Sequence, residues 1–191
     1  EQDEYKLTEF GSIASEIAEV HPLIVTNLVT HTNWFTNQSV DEIIGILSVF
    51  TNVNVSKDIK EMYPTSENPI ILQNVEYIAT QYEEYGDLES RMLIHTGIQY
   101  QDALCYDMPD LVLGWCGCEN EVDCKQYLQN NVAEKTISTG DFTKALLKIS
   151  TIVRELSSVA EKINKIECAH KLSQVDSKIL KYITTSQSLY I

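Results

Sequence analysis

Glycine and proline are scarce: seven and four residues among 191, so few positions force a helix to break. No run approaches 18 consecutive apolar residues, which excludes a membrane-spanning helix and predicts a chain that does not enter a membrane. Only two of the fourteen basic residues are arginine, Arg91 and Arg154. Basic residues as a whole are outnumbered two to one, with 28 acidic residues and a net charge of −14. That sign opposes casual binding to nucleic acid, because phosphate contacts need Lys and Arg, and it excludes a DNA-coating or ribosome-like protein.

Catalytic signatures are missing as well. The glycines never fall at phosphate-loop spacing, no His-Glu-x-x-His pair occurs, and no nucleophile elbow is present. The four histidines, His21, His31, His95 and His170, lie far apart and read as ordinary core or surface residues. No catalytic residue is therefore expected in this chain, and no cofactor of its own. Cys116, Cys118 and Cys124 form Cys-x-Cys-x5-Cys, an irregular spacing with no fourth ligand beside it. Inert thiols are the expected reading, with a metal module or a disulfide as the alternatives, so no metal ligand is assigned. Five cysteines, an odd number without a secretory leader, predict free thiols in a reducing, intracellular compartment, cytoplasmic or nuclear. Position 1 is Glu rather than Met, which leads to the expectation of a fragment of a longer protein.

What the chain does have is helical periodicity. With 43% apolar residues it can build a core, and the spacing predicts an all-α helical bundle over residues 1–191 as one domain. The predicted helices run from about Leu7 to Val20, from Pro22 onward, from a Ser39/Glu42 capping box to Phe50, and from Ile70 to Tyr85 with Gly86 as a stop. A further helix is expected from Leu88 to about Tyr100, a short one from Pro109 through Trp115, and a last one from about Ala169 to Ser186. Residues 51–69 and 116–140 read as polar loops. The clearest signal starts at Thr139-Gly140-Asp141. From Phe142 to Ile163 apolar residues recur at steps of three and four for about six turns. The opposite side carries Lys144, Lys148, Thr151 and Glu155.

Charge is partitioned along the chain. Residues 140–191 hold eight basic and five acidic side chains, a net of +3, which leaves −17 on residues 1–139. The Lys144–Glu155 stripe has two readings. One is the solvated face of an amphipathic helix. The other is a surface lying along a single strand, with lysines on phosphates and Thr and Glu on base or ribose edges.

Three blocks carry a family resemblance: "LTEFGSIASEI" (Leu7–Ile17) with "SVDEIIGILSVF" (Ser39–Phe50), "GDFTKALLKISTIVRELSSVA" (Gly140–Ala160), and the terminal "SQSLYI" (Ser186–Ile191). Together they make the chain similar to DSHCT, the C-terminal helical domain of DExH-box RNA helicases that serve the RNA exosome, the superkiller and nuclear exosome-cofactor type. The resemblance implies a bundle whose one long amphipathic helix, ratchet-like, touches the translocating strand. It carries Lys144, Lys148, Thr151, Arg154 and Glu155 over as RNA-binding residues. Family members usually have Arg at the position of Lys148 and Glu at that of Thr151, so the planar fork and the carboxylate are lost here. Trp115 matches a family Trp, and the turn after it is expanded into the cysteine-bearing 116–140 segment, atypical of the family. The implied partners are single-stranded RNA, the motor domains of the same polypeptide and an exosome-like complex. ATP and magnesium are implied for the parent helicase, an ATP-dependent enzyme, and not for this chain. The runner-up is an acidic protein–protein scaffold that docks motor domains or a partner complex without touching RNA.

Overall fold

A computed structural model of the chain describes residues 6–182. Its elements are α1 (Glu9–Ala14), α2 (Pro22–His31), α3 (Val40–Leu47) continued by a 3-10 turn (Ser48–Thr51), α4 (Pro69–Met92), α5 (Met108–Gly117), α6 (Glu121–Tyr127) with a π turn (Leu128–Val132), α7 (Thr139–Lys162), α8 (Ile166–Ser173) and α9 (Val175–Ile179). No strand occurs among the described residues, and the all-α bundle follows the periodicity of the sequence.

The 24-residue α7 packs against α8, α9, α3 and the 3-10 and π turns. The Ser138 hydroxyl accepts from the Asp141 amide at 3.0 Å and caps its start. Asn164 adopts the left-handed conformation at its end, with the Lys165 amide donating back to the Ala160 carbonyl at 2.7 Å. Between these caps Phe142, Leu146, Ile149, Ile152, Val153, Leu156 and Val159 are buried. They face α8, α9, α3 and the 3-10 turn. Each such side chain stabilises the fold by about 1.5–3 kcal/mol relative to exposure.

Two further joints fix the bundle. The Ser39/Glu42 capping box is present, with the Ser39 amide donating to Glu42 at 2.7 Å and the Glu42 amide to Ser39 at 3.2 Å. It starts α3, whose Ile43, Ile44, Ile46 and Leu47 are fully buried. Trp115 on α5 is also fully buried. Its indole N–H donates to the Ile179 carbonyl at 2.9 Å, and its ring meets Phe142 edge-on at 5.8 Å. One side chain thus links α5, α7 and α9.

Several predicted boundaries move, each for a physical reason. The first helix ends at Ala14 rather than Val20, because the amides of Ala18 and Glu19 donate to the Glu155 carboxylate on α7 instead of to a helical carbonyl. Gly86 does not stop α4. It lies inside the helix, where a Cβ would come within 3.2 Å of Tyr100. The helix ends at Leu93, in the left-handed conformation, and the Ile94 amide closes back onto Glu89 at 3.0 Å. The expected Leu88–Tyr100 helix is therefore absent, and the chain turns back to lay Tyr100 over Gly86. The 116–140 segment, expected as a loop, contains α6 and the π turn. Asn120 caps α6 by accepting the Val122 and Asp123 amides, and the buried anchors of this segment are Cys124, Val132 and Ile137. The expected Ala169–Ser186 helix is α8 and α9, broken at Gln174. Its final residues and the "SQSLYI" block lie outside the described residues.

His21 caps α2. Its Nδ1 accepts the Ile24 amide at 3.4 Å, and its Nε2 is 3.2 Å from the Tyr100 hydroxyl, which donates to Glu89 at 2.6 Å. The Tyr82, Tyr85 and Tyr100 rings surround the imidazole. The cap needs a neutral Nδ1. Burial lowers the His21 pKa from the ordinary 6.5, against the opposing pull of Glu89.

Two outcomes follow from these contacts. The unfolded chain takes up the His21 proton before the folded one, so this contribution to stability is present above the ordinary value of 6.5 and is lost as pH falls below it. The thermal midpoint of the parent relative to His21→Asn, which keeps a capping acceptor without a titrating ring, should fall between pH 7.5 and 5.5. Separately, a Cβ at Gly114 would overlap the Tyr127 ring, which is fixed by its hydroxyl donating to the Leu111 carbonyl at 2.9 Å. Gly114→Ala should destabilise the chain by about 1–3 kcal/mol in denaturant unfolding.

Candidate nucleic-acid interface

The five residues assigned to RNA from the sequence all lie on α7, but they do not share one environment. Lys144 projects into solvent, with its side chain 80% exposed and only a 3.4 Å pair to Asp141 one turn earlier. Thr151 is exposed, and its hydroxyl donates to the Leu147 carbonyl at 3.0 Å. Arg154 is 70% exposed, and its guanidinium pairs with Asp176 at 2.9 Å. Lys148 is different. Its side chain is 25% exposed and turns toward Glu19 at 3.9 Å. Glu155 faces the same way: one of its carboxylate oxygens accepts the Ala18 amide at 3.2 Å and the Glu19 amide at 3.1 Å.

The α1–α2 connection therefore covers the flank of α7 that holds Lys148 and Glu155. The row left open is Lys144, Leu147, Thr151, Arg154 and Ser158, at steps of three, four, three and four. Leu147, 40% exposed, enters this row although no reading of the sequence singled it out. Its signal was slight: it is the apolar residue of α7 that falls out of step with the buried series. The row offers a cation, an apolar side chain, a hydroxyl and a guanidinium in order along about three turns. That set can meet phosphates and the faces of bases without reading sequence.

The local positive charge is less free than its count. Lys162 pairs with Glu16 at 2.6 Å and Lys178 with Asp41 at 2.7 Å. The Lys171 ammonium donates to the carbonyls of Phe35, Thr36 and Gln38 at 2.7–3.0 Å. It thereby secures the turn in which Asn33, Trp34 and Phe35 are all left-handed. Lys181 donates to the carbonyls of Cys116 and Cys118. These cations tie the C-terminal helices to the acidic body, so the open row has modest charge.

The cysteines are all free thiols. Burial pushes Cys116 up to about 12, and Cys124 and Cys168 up to about 11, so these three stay protonated at neutral pH. Among the described residues no group of three His, Cys, Asp or Glu side chains could hold a metal ion. Nor is any described helix long and apolar enough to cross a membrane.

Glu155 and Lys144 should separate cleanly by stability. Glu155→Ala removes two hydrogen bonds at a part-exposed junction and should cost about 1 kcal/mol in chemical denaturation. Lys144→Ala removes an exposed pair and should change stability by less than about 0.5 kcal/mol.

No curated protein matches the chain. The family model described as the DSHCT (NUC185) domain matches residues 4–186, nearly the whole length. The chain therefore belongs to the DSHCT family, the domain of DExH-box helicases, and its all-helical bundle with a long, partly open α7 is the form that membership takes here.

Proposed function

We propose that the chain is the RNA-contacting accessory domain of an ATP-dependent DExH-box RNA helicase acting in RNA unwinding, processing or decay, of the exosome-associated type. In this reading α7 guides a single strand released by the motor domains of the same polypeptide. Those domains bind ATP and magnesium and perform the hydrolysis, and an exosome-like complex takes up the strand. The observation that carries the reading is the open row Lys144–Leu147–Thr151–Arg154, at helical steps on the apolar-backed, 24-residue α7 of a DSHCT domain. Lys144 and Arg154 supply phosphate contacts, and Leu147 supplies a surface on which a ribose or base can slide. Lys148 and Glu155 hold the shape of the helix flank. The modest free charge fits a domain that steers a strand held elsewhere, with weak binding of its own.

A second reading has one observation in its favour. Met92, Leu93 and Ile94 at the end of α4 are exposed, with Leu93 84% accessible, which suits a scaffold that docks motor domains without touching RNA.

Unwinding by the full helicase that carries this domain separates the two. Lys144→Ala/Arg154→Ala should slow unwinding several-fold and abolish RNA crosslinks at residues 144–158, while Lys148→Ala should have a smaller effect. For each phosphate contact removed, the slope of log affinity against log salt should shrink by about 0.7. Unchanged unwinding and crosslinking in the double variant would leave the scaffold reading standing.

A further inference from the structure

A sizeable cavity lies away from the open row of α7. It is a groove of about 750 Å³ between one face of α4 and the segments around residues 60–62 and 100–106. Small residues on α4, Ala79 and Ser90, leave its floor low, Tyr100 lies over Gly86, and Tyr106 lines the wall beside a largely buried Tyr82. The volume accommodates several residues of an extended chain rather than a single ion.

Its charge is one-sided and only partly answered from within. Asp102 pairs with Lys60 at 3.4 Å, and Glu61 with Lys135 at 3.1 Å. Glu83 and Asp87, also in the lining, have no ion pair and accept no side-chain hydrogen bond among the described residues. They stand one turn apart on α4, a like-charge spacing that destabilises a helix. Glu83 also raises the pKa of the half-buried Tyr106 phenol, after the larger effect of burial, which places its negative field on that ring. Two unpaired carboxylates in a groove lined by tyrosines suit a flat cation. A guanidinium matches the carboxylates through its forked donors and the rings by stacking, whereas an ammonium supplies only a point charge. RNA is repelled by the same field.

We propose that this groove docks an extended, arginine-bearing segment of a protein partner, with a guanidinium set between Glu83 and Asp87 and against the tyrosine rings. The site is separate from α7 and stands whether or not α7 contacts RNA.

Fluorescence anisotropy with the 191-residue chain and a labelled (Arg-Gly-Gly)4 peptide tests it. The peptide should bind at low salt, and Glu83→Gln/Asp87→Asn should weaken binding about tenfold. Glu76→Gln/Glu134→Gln removes the same charge at exposed sites elsewhere and should change affinity less than about twofold. The groove variant should keep its helical circular dichroism and melt no lower than the parent, since a like-charge pair is relieved. A (Lys-Gly-Gly)4 peptide should bind several-fold more weakly. The proposal is overturned if both variant pairs weaken binding equally, if the groove pair has no effect, or if the lysine peptide binds as well.

Discussion

Burial of the apolar face of α7 is the constraint on which the other elements depend. The helix is too long and too polar on its outer side to be held by local propensity alone, and its stability comes from packing. Seven large side chains from Phe142 to Val159 must be covered, and α8, α9, α3 and the 3-10 turn after α3 supply that cover. Trp115 then joins α5 to the same core through Phe142 and the Ile179 carbonyl. What remains of the α7 surface is decided by how far the cover extends. The α1–α2 connection reaches Lys148 and Glu155 and stops short of Leu147 and Thr151.

The charge asymmetry of the chain is best understood as internal complementarity. An acidic body of −17 and a C-terminal segment of +3 attract one another, and the structure contains the pairs that result. Lys148, Lys162 and Lys178 reach Glu19, Glu16 and Asp41, each more than a hundred residues away in sequence. Individually such exposed pairs contribute little, about 0–1 kcal/mol. Lys171 and Lys181 do more, because they satisfy carbonyls of the irregular turns at 35–38 and 116–118 that no helix can satisfy. Some of the acidity stays unanswered, Glu83 and Asp87 on the outer face of α4 among it.

Much of the fold could be read along the chain. The Ser39/Glu42 capping box, Pro22 and Pro109 at helix starts, and the apolar period of α7 each appear where periodicity and capping place them. The misses share one cause, which is that a local signal competes with a distant contact. Gly86 carries the composition of a helix stop, yet Tyr100 needs the space above it, and α4 runs on to Met92. Residues 15–20 have the pattern of a helix, yet Glu155 takes two of their amides. Residues 116–140 have few apolar anchors, and the one inside α6 is a cysteine, so a helical segment has the composition of a loop.

The class of the protein is written in its linear chain: an all-helical domain of the DSHCT family, carried by a capped amphipathic helix whose period and blocks need no contact information. Helical period and capping are properties of neighbours within four residues, so a linear reading reaches them. Which side of α7 faces solvent is set by long-range packing. Lys148 and Glu155 share a stripe with Lys144 in a helical projection, but the residues that cover them, Ala18 and Glu19, lie about 130 residues earlier. The groove beside α4 is likewise assembled from residues 60–62, 79–90 and 100–106, and no single stretch of chain contains it. Exposure is set by whatever folds over a surface, and that information resides in contacts between segments far apart in the chain.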